Sequence, residues 1–345
     1  MSPQRVLRSA IAACLLLPAT AVPADAAVTP WPGDAAVAVA DGSNVFGKNL
    51  SGLSFQSPTV LWAVKNSPST LYRLVPDGAK WRPDHPGKPL HYRDGTGDPD
   101  AEAVVATPDG LVVATERDND NDGKSMLKVL RFDGSSSAGS LSATGEWNLT
   151  ADLPKVSAND GLEAISWLPD TVLTARGFRD ERTNAAYDPA SYPGHGSGLY
   201  FVGLETNGTV YAYALNQSSG AFTRVATVQS GLPEIMDLEF EPETGHLWAV
   251  CDDNCGGRAT TLDITSQGRL SVTATYARPA GMADYNNEGF AIAPRAACAA
   301  GRKQVVWADD DNDGHHALRS GALPCTAEGA TQRRGLSARP AWIRR

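Results

Sequence analysis

The chain is 345 residues long, with 39 acidic against 30 basic side chains and a formal net charge of −9. No run of lysine and arginine builds a stripe for a phosphate backbone, which excludes nucleic acid as an expected partner. An acidic surface also opposes long-range attraction to polyanions such as phytate unless bound cations change the local sign.

Residues 1–26 have the three parts of a secretory signal: Arg5 and Arg8, an apolar stretch over residues 11–22, and Ala24, Asp25 and Ala26 as a small-residue cleavage site. Cys14 stands in front of the leucines at 15–17, which argues against a lipid-anchored start. The expectation is a secreted, extracellular protein whose mature part, residues 27–345, is a single domain, because no Pro-, Gly- or Ser-rich linker divides it. No later stretch reaches the roughly 20 apolar residues of a membrane helix, so no membrane span is expected. The mature protein is read as a monomer.

A short motif then recurs along the chain: LSGLSFQSP (50–58), AEAVVATPDG (101–110), GLEAISWLPD (161–170), MDLEFEPETG (236–245) and NEGFAIAP (287–294). Each copy is followed by a second apolar run, VLWAV (60–64), LVVAT (111–115), TVLTA (171–175), HLWAV (246–250) and QVVWA (304–308). This is a strand, a turn and a second strand, and after three of the copies a third strand-like segment follows, at 70–75, 127–132 and 260–264. Repeated units of three or four strands predict an all-β fold, a β-propeller, rather than a β-sandwich of similar strand content. Counted from Ser51, Glu102, Glu163, Asp237 and Glu288, the spacings are 51, 61, 74 and 51 residues. The longest gap holds a further strand pair, GLYFVGLE and TVYAYAL, within residues 198–215, which is read as a sixth blade without the full motif or as an enlarged fourth. The expectation is six blades, with five or seven also compatible.

Removing the signal leaves four cysteines, and the expected disulfides are Cys251 with Cys255 and Cys298 with Cys325. The second closes a long loop near the end of the chain, worth roughly 3 to 4 kcal/mol on a chain-entropy account.

In a propeller the innermost strand of every blade borders a central channel, so Glu102, Glu163, Asp237 or Glu239, and Glu288 are expected to meet at one mouth. Crowded carboxylates repel, and the remedies are raised pKa values, arginine partners such as Arg117 or Arg176, or a bound cation. Calcium, with its six to eight oxygen ligands, suits Glu102, Glu163 and Glu288 together with Asn159, Asn254 and Asn287, and it is the expected cofactor. Two further clusters read DxDxDG: Asp118, Asp120, Asp122, Gly123 and Asp309, Asp311, Asp313, Gly314. Both are candidate calcium loops, although neither is an EF-hand, since Val129 and Ser320 stand where the bidentate glutamate belongs. His195, His315 and His316 are conceivable general bases. His195 is read as part of a flexible surface loop and the other two as a solvated turn.

The stretches LSGL (50–53), ERD (116–118) with LRFD (130–133), GLEAI (161–165), LEFEPETG (238–245) and NEGFAIA (287–293) resemble the phytase-like secreted propellers, a family described as having esterase-like activity, with calcium-dependent lactonases as more distant relatives. The resemblance implies a six-bladed or similar propeller, calcium at acidic channel positions, and hydrolysis of a phosphoester or carboxylic ester at the channel mouth. It makes Glu102, Glu163 and Glu288 the candidate catalytic residues, and Asp118 and Asp309 their neighbours. Asp118, Asp120, Asp122, Asp237, Asp309, Asp311 and Asp313 are the candidate metal ligands. Ser51 departs from the acidic pattern, and a phytase would need basic groups around its substrate, for which Lys65, Arg117, Arg176, Arg179 and Arg258 are the candidates. The competing readings are a noncatalytic binding propeller with structural calcium and a calcium-dependent lactonase.

Overall fold

The computed structural model describes residues 27–121 and 124–325, so the stretch expected to be a secretory signal, Asp122, Gly123 and the residues after Cys325 lie outside it. Five antiparallel sheets account for nearly all the strands. Their innermost strands are Leu50–Ser57, Pro99–Thr107, Leu162–Pro169, Asp237–Glu241 and Asn287–Ile292, one from each copy of the sequence motif. Each innermost strand packs on the next, and the fifth packs back on the first, which closes a ring. The fold is therefore a β-propeller of five blades.

The expectation of six blades is corrected by blade 3. After Leu162–Pro169 the chain does not turn straight back: TVLTA, expected as a strand, lies in the helix Asp170–Ala175. Pro169, with φ at −63°, precedes the helix, Asp170 lies in its first turn where the dipole favours negative charge, and Gly177 at φ +66° ends it. Thr171, Val172 and Thr174 have strand propensity, but Leu173 is buried in the helix and the slot beside Leu162–Pro169 is taken by Gly198–Leu204. Residues 198–215 thus supply the second and third strands of blade 3, Gly198–Leu204 and Thr209–Leu215, and are not a blade of their own.

The N-terminal segment stitches the ring. Val28–Thr29 adds in parallel to Leu270–Tyr276 of blade 4, and Ala38–Val39 pairs with Leu318–Pro324 as the outer strand of blade 5. Both expected disulfides are present, with Cα separations of 6.1 Å for Cys251–Cys255 and 6.0 Å for Cys298–Cys325. The cores lie between blades: Trp31, Trp248, Phe290 and Trp307 pack between blades 4 and 5 with centroids 5.5 to 6.4 Å apart. Around the axis the strands approach so closely that side chains must be small. A Cβ on Gly52 would stand 2.4 Å from Ala103 Cα, and one on Gly289 would stand 2.3 Å from Ser51 O.

A carboxylate-lined mouth at one end of the ring

Because the first two strands of each blade run antiparallel, the start of the innermost strand and the end of the second strand share one end of the ring. Four innermost strands carry a β-bulge there; in blade 1 it falls between Leu50 and Leu53, and in the other three the extra residue is the motif glutamate. Glu102 lies between Ala101, paired with Thr115, and Ala103, paired with Ala114. Glu163 lies between Leu162 and Ala164, which oppose Leu204 and Gly203. Glu288 lies between Asn287 and Gly289, which oppose Asp309 and Ala308. A bulge leaves its extra residue out of the ladder and re-aims its side chain. All three glutamates line one cavity of about 300 Å3.

Blade 4 has no bulge. Asp237 pairs with Val250 and Leu238 with Ala249, and Met236, one residue earlier, lines the cavity instead. The Asp237 carboxylate is fully buried and accepts from the N–H groups of Leu238 and, across the blade boundary, Phe290, both at 2.8 Å. Glu239 belongs to the other end of the ring. In blade 1 the Ser51 hydroxyl donates to the Glu102 carbonyl at 2.5 Å.

The ends of the second strands complete the mouth. Glu116 closes in from blade 2, Glu205 follows Gly198–Leu204, Asp252 and Asp253 follow His246–Val250, and Asp311 follows Arg302–Asp309. Eight carboxylates therefore line the cavity (102, 116, 163, 205, 252, 253, 288 and 311), with Arg117 as the one basic side chain among the described lining residues. Glu116 and Glu205 were not among the expected site residues; their signal, shared with Asp252, is their place at or just after the end of a repeat's second strand.

Some of these groups are tied down. The Glu116 Oε1 accepts from Gly161 N at 2.7 Å, Arg117 Nε lies 2.6 Å from Asp100 Oδ2, and Asn66 Nδ2 donates to Glu102 Oε2 at 3.2 Å. Among the described residues no donor reaches the buried oxygens Asn66 Oδ1, Glu205 Oε2, Glu288 Oε2 and Asp310 Oδ1, and the carboxyls of Glu288 and Asp310 face each other. An unpaired buried acceptor costs about 1–3 kcal/mol, more if charged. Burial, reinforced by the neighbouring carboxylates, pushes the Glu102, Glu163 and Glu288 carboxyls well above their usual range. Burial also pushes Glu116 up to about 7 and Glu205 up to about 8. One oxygen from each of Asp100, Glu102 and Glu116 lies within 4.8 Å of the others, and the same holds for Glu116, Glu163 and Glu205. Oxygens so spaced fit around a single ion whose ligand bonds are 2.3–2.6 Å.

The aspartate clusters behave differently. Asp118 Oδ1 accepts from Asp98 N at 3.3 Å and Asp120 N at 3.1 Å, capping its own turn outside the mouth lining, and Asp120 is exposed. Asp309 is buried, faces Arg319 Nη2 at 3.1 Å and accepts from Asp313 N at 3.0 Å. Asp311 lines the mouth but pairs with Lys48 at 2.8 Å, while Asp313 is exposed and outside the lining. Asn159 and Asn254 line the mouth; Asn287 is buried elsewhere. The candidate basic residues do not converge. Lys65 donates to Phe46 O, Arg176 to Thr244 O, Arg179 to Asn184 O and Arg258 to Cys255 O. His195 is not a flexible surface residue: it is 7% exposed, with Nε2 at 3.0 Å from Asp170 and 3.1 Å from the Tyr187 hydroxyl.

No protein-family model matches the chain, and no curated protein matches it, so the phytase-like resemblance has no support there. Among solved structures, a protein of unknown function from Bacteroides thetaiotaomicron is similar at 13% identity and a TM-score of 0.42, over 83% of this chain and 75% of its own. A protein from Lactobacillus plantarum is similar at 14% identity and a TM-score of 0.39, over 77% and 79%. A protein provisionally named a gluconolactonase is similar at 16% identity and a TM-score of 0.38, over 77% and 72%. The fold assignment here rests on the sheet topology itself, and no family follows from these likenesses.

Proposed function

We propose that the acidic mouth holds a calcium ion and that the protein is a secreted, calcium-dependent hydrolase of carboxylic esters, lactones included. The observation that carries this reading is the convergence of three bulge glutamates, with buried oxygens of Asn66, Glu205 and Glu288 that no described donor reaches, on a cavity lined by eight carboxylates and one guanidinium. The lining offers carboxylate and amide oxygens and no histidine or cysteine, which fits a hard cation such as calcium and not zinc. Glu102, Glu163 and Glu288, with Glu116 and Glu205, would hold it.

When bound, calcium polarises a carbonyl oxygen and makes bound water a better nucleophile. The chain's own residues do the rest. Gly161 N and the Arg117–Asp100 pair fix the edge of the site beside Glu116. A channel carboxylate, for which we assign Glu163, accepts the proton of the attacking water and returns it to the leaving oxygen. A phosphoester is disfavoured because Arg117 faces Asp100, so no free basic cluster remains to receive an anionic substrate. The test is hydrolysis of aryl esters, aliphatic lactones and phosphomonoesters by the mature protein with calcium and with EGTA. Turnover of an ester or lactone that EGTA and Glu163→Gln both abolish supports the reading. Calcium binding without turnover of any of them leaves the noncatalytic binding propeller, which the lack of a histidine in the lining favours.

A further inference from the structure

The opposite end of the ring has a second cavity, of about 210 Å3, where the far ends of all five innermost strands meet. Its floor is a buried ion cluster. Lys303, 3% exposed, lies 2.6 Å from Glu241 Oε1 and 3.1 Å from Glu243 Oε2. Glu239 Oε1 accepts from Ile292 N at 3.2 Å, and the rest of its carboxyl group faces the cavity lining. The Ser54 hydroxyl accepts from Ala106 N at 3.0 Å, which leaves its own proton to donate. The lining also includes Trp167 and Phe55, with Pro169, Pro242 and Pro294.

These features restrict the occupant. Lys303 against Glu241 and Glu243 leaves one carboxylate charge in excess, which opposes an anion, while the buried ammonium between them opposes a free cation. The volume is below the roughly 300–1,000 Å3 of drug-sized ligand sites, which limits the guest to about one ring. Fixed donors and acceptors beside an aromatic side chain suit a molecule with hydroxyls on its edge and C–H groups on its face. We propose that this cavity binds a neutral, hydroxyl-rich ring of monosaccharide size, stacked on Trp167 with hydroxyls on Glu239, Lys303 and Ser54. The inference is independent of the cation at the other mouth.

The test is a calorimetric titration of the mature protein with D-glucose, D-galactose, D-mannose, N-acetylglucosamine and myo-inositol as probes. Saturable binding of at least one probe is expected, weakened about tenfold or more in Trp167→Ala and Glu239→Ala. Ala106→Leu, which narrows the cavity from blade 2, should block binding while thermal unfolding shows the variant folded. Glu163→Gln and EGTA should leave it unchanged. Absence of saturable binding for every probe at tens of millimolar would overturn the proposal, as would binding that survives Ala106→Leu and Glu239→Ala in folded protein.

Discussion

The two ends of the ring are built from the same strands and both gather carboxylates, yet they settle the charge in opposite ways. At the end bearing Glu239, a lysine from the second strand of blade 5 faces Glu241 and Glu243, and Glu241 Oε2 further accepts from Thr244 Oγ1 at 2.8 Å and Trp248 Nε1 at 3.1 Å. At the other end, among the described residues, eight carboxylates have Arg117 alone among them, and buried oxygens are reached by no donor. One end is complete as a protein. The other leaves its carboxylates to hold protons or, on the reading proposed above, a cation. Where the fold supplies a counter-charge it places a lysine in the second strand; where it does not, three bulges have turned glutamates towards the axis.

The largest expected effect breaks the completed end. Lys303→Met leaves Glu241 and Glu243 buried beside each other, and removing one partner of a buried pair costs about 3–5 kcal/mol. Urea unfolding should show a loss of that order, with the calcium response intact. Next comes removal of calcium from the other end. At about a hundred times the dissociation constant a ligand adds roughly 2.7 kcal/mol, so EGTA should lower the unfolding midpoint by several degrees in a scanning calorimeter.

The pH dependence sharpens the contrast. A carboxyl whose folded pKa is raised contributes stability below its unfolded value and loses it as pH rises through the folded one. Glu116 at about 7 and Glu205 at about 8 therefore predict that the chelated protein loses stability as pH rises from the unfolded carboxyl range towards 8. Saturating calcium should flatten most of that fall, leaving the share due to Glu239 at the opposite end, whose carboxyl burial pushes up to about 8. The smallest expected effect is Glu163→Gln in the chelated protein. Removing one of the crowded charges should raise its stability by about 1 kcal/mol at pH 8, on the scale of a one-unit pKa shift, while the calcium-induced rise in midpoint shrinks.

Much of this was legible in the sequence, for physical reasons that differ from residue to residue. The five motif copies mark the five innermost strands because a strand buried on both sides beside the axis needs the same apolar and small residues in every blade. Glu102, Glu163 and Glu288 stood out for the same reason, each followed by Ala or Gly where neighbouring strands nearly touch. The blade count went astray at residues 170–197, where an insertion separates the first two strands of blade 3 and a β-branched run forms a helix. Asp237 could not be told from a mouth residue, because the presence or absence of a bulge depends on register with the next strand and not on the motif. Glu116 and Glu205 escaped notice since the end of a second strand acquires meaning only when all five blades are superposed around one axis. The aspartate clusters drew attention by composition, yet Arg319, on the strand that follows, and Lys48, distant in sequence, neutralise much of the second.

The most direct test of the account is calcium binding measured by titration calorimetry on the mature protein from Ala27, wild type beside the Glu102→Gln, Glu163→Gln, Glu288→Gln triple variant. The account predicts saturable binding to the wild type and none to the folded triple variant. Absence of binding to the wild type, or binding undiminished in the triple variant, would contradict it.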